Sequence, residues 1–385
     1  MIDTVSLTKE WLDAKQKEHK RDPSIIESMI HALYLLEQLK LTGLDFIFKG
    51  GTSLVILLER PARFSVDIDV IINPSLTQEQ LEEYLNNVVA STDAFIRVEL
   101  DERRSYKPGV PKAHYKFIFN SNAAGVTKEG QPNPNPEREI LLDVLFAENP
   151  YPNLVKRAIN TNWLKLKSEP LVVKMPCVNS ITGDKLTAFA PNTTGVPYYR
   201  LSVNKDGATA STEMFREIMK QLFDVGSLFD ALDDIELFRK SYHETVEAEI
   251  KYRSDRGVES REQVLRDTIA TALILARREK QINDDEKQNF HDLKKGIEAF
   301  GHYVFLGNFR IEHAQVAGAK AAYLSAILLT DYKGELNRFD KKTPLPDYLI
   351  THPDYNFLNK ALKAVNLGEA LFYWSEAVKL LQSEA

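Results

Sequence analysis

The chain has 385 residues, 43% of them apolar and 27% charged, the balance of a globular protein long enough for one large domain or two ordinary ones. Lys and Arg number 49 against 55 Asp and Glu, a formal net charge of −6. That excludes a strongly basic protein coating nucleic acid, but not a basic patch on an acidic whole. The single cysteine, Cys177, rules out an intramolecular disulfide and argues against a secreted disulfide scaffold.

Residues 1 to 20 are charged and carry no apolar signal core, and no apolar run approaches membrane-spanning length. A soluble cytoplasmic protein is expected. Leu7, Trp11, Ile26, Met29, Ile30, Leu33 and Leu36 recur at helical spacing, broken at Pro23. Phe46 to Lys49 reads as a short strand that ends at Gly50-Gly51. Thr52 is expected to cap a short helix from Ser53 to Glu59. Asp67 to Ile72 reads as a strand stopped by Asn73-Pro74, and a helix follows from Thr77 to Val89.

Further strands are expected at Phe95–Leu100, His114–Phe119, Glu139–Phe146 and Leu171–Pro176. The Gly-, Pro- and Asn-rich stretch from 120 to 137 reads as a long hairpin loop or flap. After Ser180 the pattern turns helical, with a stripe from Met214 to Phe223. Later helices are expected at Ser241–Tyr252, Ser260–Arg278, Asp284–Phe300, Ile311–Leu329 and Tyr355–Leu381. Ser260 with Gln263 forms a capping-box signal. An α/β front half and an all-α back half meet near 180–210.

The sharpest local feature runs from Lys49 to Val70. Alternate strand residues point the same way, so Asp67 and Asp69 put two carboxylates on one face and Ile68 and Val70 on the other. Two like charges side by side repel unless a cation lies between them. Hard oxygen donors suit Mg²⁺, which takes its remaining ligands from water and substrate phosphate. Gly50 and Gly51 allow close backbone approach, and the following helix start offers N–H groups to a phosphate. Either motif alone is common in turns and solvated strand edges; their order, strand, Gly-Gly, helix, strand, points to nucleotidyl transfer. Asp143, a charge within the apolar run 141–146, could complete a metal site, act as general base, or face solvent.

Two basic stretches could follow an RNA backbone or be ordinary solvated surface. One holds Lys156, Arg157, Lys165, Lys167 and Lys174 around Trp163; the other holds Arg97, Arg103, Arg104, Lys107, Lys112 and Lys116. Tyr198-Tyr199-Arg200 reads as a connecting loop that could cover a nucleotide. No His-Glu-x-x-His, Gly-x-x-x-x-Gly-Lys-Ser/Thr or Gly-x-Ser-x-Gly occurs, so nothing marks a zinc protease, a P-loop ATPase or a serine hydrolase.

Gly50-Gly51-Thr52-Ser53-Leu54 with Arg63-Phe64-Ser65-Val66-Asp67-Ile68-Asp69 resembles the first motif of the AbiEii-type nucleotidyltransferase toxins, a family of the DNA polymerase β-like superfamily. Leu142 to Phe146 resembles its middle strand and Gly183 to Ala188 its Lys motif. Lys220 to Val225 resembles its last motif, with Gln221 where a first Asp is often found and Asp224 matching the second.

The resemblance implies an α+β fold: a polymerase-β-like nucleotidyltransferase domain with a mixed sheet over 1–200, then a helical domain over 201–385. It implies a toxin of a toxin–antitoxin or phage-defence pair that moves nucleotides from NTP to an acceptor hydroxyl, the 3′ end of tRNA, releasing pyrophosphate. Its antitoxin would be encoded nearby and need not touch it. Asp67, Asp69 and Asp143 would hold Mg²⁺ or Mn²⁺. Lys49, Gly50, Gly51, Thr52, Ser53, Arg63 and Ser65 would frame the nucleotide, Lys185 would contact the triphosphate, and Asp224 would support the site. Lys185 is expected near a helix start, as a mobile charge. The rival functions are transfer to a protein Ser, Thr or Tyr hydroxyl, and a non-catalytic module that binds nucleotide or a partner.

Overall fold

A computed structural model of the chain describes residues 1–101, 111–124, 133–203, 209–342, 344, 347, 349–363 and 365–382. Arg103, Arg104 and Lys107, and the middle of the expected flap, lie outside the described residues. The chain divides into two compact units. The first comprises Met1–Asn149, Asn153–Cys177 and His302–Gly307; the second comprises Pro150–Pro152, Val178–Gly301 and Asn308–Ala385.

In the first unit, α1 (Lys9–His19) starts behind Thr8, whose hydroxyl accepts from the Trp11 N–H. Asp22 caps α2 (Pro23–Leu41), and Pro23 occupies its first turn, where no N–H is needed. Most of α2 is buried, so its polar groups need partners. The Glu37 carboxylate accepts the Ile2 N–H at 2.8 Å, and the Glu27 carboxylate accepts the Ser121 hydroxyl and the Asn122 N–H.

The sheet is built from β1 (Phe46–Lys49), β2 (Ile68–Ile72), β3 (Arg97–Leu100), β4 (Lys112–Asn120), β5 (Glu137–Phe146), β6 (Leu154–Ala158) and β7 (Val172–Pro176). Helix α3 (Gly50–Leu57) follows β1 directly, and α4 (Gln78–Ser91) follows β2 behind a Thr77/Gln80 capping box. The strand order is β3-β4-β5-β2-β1-β7-β6. β2 runs parallel to β5 and β1 parallel to β7, while the other neighbours are antiparallel. This is the mixed sheet expected. Strand β6 was not: Leu-Val-Lys-Arg-Ala has no clean alternation, and it forms a sheet edge where Lys156 and Arg157 reach solvent.

The second unit is helical: α5 (Val178–Ala188), α6 (Phe215–Ala231), α7 (Ile235–Tyr252), α8 (Arg261–Arg277), α9 (Asp284–Gly301), α10 (Ile311–Leu329), α11 (Phe357–Lys363) and α12 (Gly368–Gln382). The Ser260/Gln263 capping box starts α8 as expected. Between α5 and α6, β8 (Tyr199–Val203) pairs with β9 (Thr209–Glu213). Tyr199 and Arg200 therefore lie in a strand, not in a connecting loop. The single helix expected over Tyr355–Leu381 is two helices. Asn366 takes a left-handed φ of 55°, and the Leu367 N–H returns to the Leu362 carbonyl, which closes α11 before α12 begins. Among the described residues, no helix is long and apolar enough to cross a membrane.

Candidate active site

Strand β2 sets the first part of the site. Asp67 and Asp69 are half-buried, while Ile68 and Val70 between and beyond them are buried, the alternation that a one-sided strand requires. Asp69 stands in register with Lys49 on β1 and with Asp143 on β5. Asp143 stands in register with His114 on β4. Register partners share a sheet face. A row of Lys49, Asp69, Asp143 and His114 therefore crosses four adjacent strands.

His114 was not singled out in the sequence. Its Nδ1–H donates to Asp143 Oδ1 at 2.6 Å, and the two side chains are 14% and 26% exposed. That contact fixes the orientation of the carboxylate. The signal that finds His114 is the β4–β5 register, and the intervening loop hides it in the sequence.

The turn between β1 and α3 is shaped around these acids. Gly50 has φ +74°, and a Cβ there would lie 2.0 Å from Asp69 Oδ2. A Cβ on Gly51 would lie 2.4 Å from an Arg63 Nη2 and 3.0 Å from Ser65 Oγ. At Gly50 only glycine fits, since the backbone is left-handed and the Asp69 carboxylate lies against the start of α3. Thr52 does not cap this helix: α3 begins at Gly50, and the Thr52 hydroxyl donates to the Asp67 carbonyl. The Ser53 hydroxyl donates to the Gly50 carbonyl at 2.8 Å, and both side chains are fully buried. Arg63, 5% exposed, donates to the Phe64 carbonyl at 2.9 Å. The Thr52 hydroxyl thus ties the start of α3 to the backbone at Asp67, while Ser53 bonds within α3 and Arg63 to the backbone beside it.

Lys185 and Asp224 lie in the second unit. Lys185 sits in the last turn of α5, not near its start. It is 6% exposed, and its ammonium lies 3.0 Å from Asp224 Oδ2 on α6. It also donates to Gln221 Oε1 at 3.1 Å. In place of the expected mobile charge there is a buried ion pair, and Gln221 accepts from the lysine. α5 approaches α7 closely enough that a Cβ on Gly183 would lie 2.6 Å from the Tyr242 N. Beside Lys185, Asp184 accepts the Tyr151 hydroxyl at 2.9 Å. Nearby, burial together with the charges of Arg256 and Arg200 pushes the Arg253 guanidinium down to about 10.

Among the described residues, no three His, Cys, Asp or Glu side chains are grouped so that together they could hold a metal ion. Mg²⁺ ordinarily takes one or two protein carboxylates and fills the rest of its octahedron with water and phosphate oxygen. Asp67 and Asp69, on one strand face, supply two oxygen donors of the chemical type that demand sets.

No curated protein matches the chain closely enough to count as a relative. A family model described as the nucleotidyl transferase AbiEii toxin of a type IV toxin–antitoxin system matches residues 34–305, a span that takes in the acids of the sheet and the Lys185–Asp224 pair. With most of its length matched, the chain belongs to the AbiEii family of nucleotidyltransferase toxins.

Proposed function

We propose that the protein transfers a nucleotide from NTP to the 3′-terminal hydroxyl of an RNA, with tRNA as the acceptor. The observation that carries the reading is the row Lys49–Asp69–Asp143–His114, with Gly50 cut back to admit the Asp69 carboxylate. Asp67 and Asp69 hold Mg²⁺ or Mn²⁺, which supplies neutralising charge to the phosphates when bound. Gly50 and Gly51 bring the phosphates to the N–H groups at the start of α3. Lys49 faces the phosphate charge from the next strand.

Asp143, oriented by His114, takes the proton of the attacking hydroxyl. The acceptor oxygen bonds to the α-phosphorus as the bond to the β-phosphate bridging oxygen breaks, and pyrophosphate leaves. Lys185, held by Asp224, is assigned to the triphosphate. An antitoxin encoded nearby would counteract the product without having to contact this chain, in a toxin–antitoxin or phage-defence setting in the cytoplasm.

The test is incubation of the full chain with labelled NTP, total RNA and total protein. Label is expected in small RNA and in no protein band. EDTA should abolish it and Mg²⁺ restore it. Asp67→Asn and Asp69→Asn should each lower transfer by about three decades or more, the scale of removing charge stabilisation in the transition state. Both variants should melt within a few degrees of the wild type, because half-exposed cleft acids add little to stability. Label in protein alone would replace the RNA reading with the protein-hydroxyl reading. Transfer surviving in both variants would remove the site assignment.

A further inference from the structure

Within the helical unit, α6 and α10 pack closely where a Cβ on Gly226 would lie 2.9 Å from the Ala317 Cβ. Beside that contact a cavity of about 400 Å³ opens, which also reaches the first turn of α12. The volume falls in the range of small-molecule sites. Phe223, Phe309, Val316 and Leu367 supply apolar walls. Phe223 and Phe309 meet edge to face, with centroids 5.4 Å apart. Such walls accept a flat ring.

One part of the lining is polar in a specific way. The Lys320 ammonium lies 2.7 Å from Asp230 Oδ1 and 3.0 Å from Glu369 Oε1, with its side chain only 7% exposed. An ammonium carries three protons; these carboxylates take two, and the ammonium also lies over the Phe229 and Tyr373 rings, 5.6 and 5.7 Å from their centroids. Each carboxylate keeps acceptor capacity of its own. The cavity therefore offers a donor between two acceptors. Asp230, Glu312 and Glu369 outnumber Lys320 in the lining, so the local charge disfavours phosphate and favours a neutral, donor-rich ligand.

We propose that this cavity binds a nucleobase bearing an exocyclic amino group, with the ring between the apolar walls, the amino group on Asp230 or Glu369, and the adjacent ring nitrogen on Lys320. Cytosine and adenine present that donor beside that acceptor. Uracil has no amino group and loses one hydrogen bond. All of its lining residues belong to the second unit, and its test requires no nucleotide transfer.

The experiment titrates the full-length protein with cytidine, adenosine and uridine, read by calorimetry and by saturation-transfer NMR. Cytidine and adenosine should bind about tenfold more tightly than uridine, the worth of one hydrogen bond. Val316→Trp, from a half-buried lining position, should fill the cavity and remove binding while the circular dichroism stays unchanged. Leu367→Trp repeats the block from a second wall. A short oligoribonucleotide with unpaired cytosines is the further arm. If it displaces cytidine, an RNA base is the source; if it does not, the site takes a free nucleoside, and both results keep the site. Absence of saturable binding by any nucleoside, equal binding of uridine, or binding that survives in both tryptophan variants overturns the proposal.

Discussion

At Gly50, one missing methyl decides whether the Asp69 carboxylate can occupy its place. An alanine there meets Asp69 Oδ2 at 2.0 Å and must also adopt φ +74°. The left-handed backbone alone costs a non-glycine residue about 1–2 kcal/mol. Gly50→Ala is therefore expected to lower stability by about 1–3 kcal/mol and to abolish transfer, because the carboxylate has to move. Urea unfolding beside a transfer assay checks this; an active Gly50→Ala protein would detach the turn from the chemistry. The Lys185–Asp224 pair makes the opposite case, since its burial makes it structural as well. Removing one partner of a buried pair leaves an uncompensated charge and typically costs about 3–5 kcal/mol. Lys185→Ala and Asp224→Ala should each unfold at much lower urea. The double variant Lys185→Met/Asp224→Leu should recover most of the fold and still fail to transfer. If the double variant transfers normally, the pair serves packing alone.

At the scale of elements, the packing of α2 on the sheet sets a pH response. His31 on α2 stacks on Phe119 of β4 at 4.0 Å, and its Nδ1–H donates to the Glu27 carbonyl at 3.0 Å. Burial holds its pKa below the ordinary 6.5, against an opposing pull from the Glu27 charge. The unfolded chain takes up a proton that the folded chain resists. The stabilising contribution is complete above about 6.5 and is lost as pH falls from there toward the folded value, by at most about 1.4 kcal/mol per pH unit. His31→Gln should flatten that slope, and denaturant melts at pH 7, 6 and 5 will read it; parallel slopes in the two proteins would clear His31 of the effect. α2 itself, like β1, β2 and the Ser260 cap, was legible from apolar period and capping chemistry. So was the Asp67/Asp69 face, because a strand's alternation is local. What escaped was set at long range. Strand β6 owes its pairing to β7, the break between α11 and α12 depends on a single left-handed residue, Asn366, and His114 meets Asp143 through a register that spans the loop between β4 and β5. The burial of Lys185 likewise depends on a partner 39 positions away on another helix.

For the molecule as a whole, charge decides how a polyanion can be held. The chain is net negative at −6, so the proposed RNA acceptor would have to be held by a local basic surface. The first unit supplies one. Lys156 and Lys174 are register partners across β6 and β7, and both are exposed, as are Lys165 and Lys167 in the loop between these strands. Lys174 is bonded to Asp45 at 2.8 Å, but both side chains remain largely in solvent, where such a pair is weak and yields to a phosphate. Trp163 takes no part in base stacking. It is 4% exposed and packed against Phe64 and Phe305, so the stretch offers charge without an aromatic platform. The second basic stretch is partly neutralised: Arg97 is bonded to Glu99 and Glu137, and Lys116 pairs with Asp101 and Glu139. Binding through the first surface should be sequence-tolerant and steeply salt-dependent, each phosphate contact adding about 0.7–0.9 to the slope of log K against log salt. Lys165→Glu/Lys167→Glu should reduce that slope by about two such contacts and weaken RNA labelling at 150 mM salt by roughly tenfold or more. Binding of NTP alone should hardly change. Fluorescence anisotropy of labelled tRNA across a salt series, run beside NTP calorimetry for the same proteins, gives the answer. An unchanged slope in the double variant would mean that the acceptor lies on another surface, and salt-insensitive labelling would mean that it is not a nucleic acid.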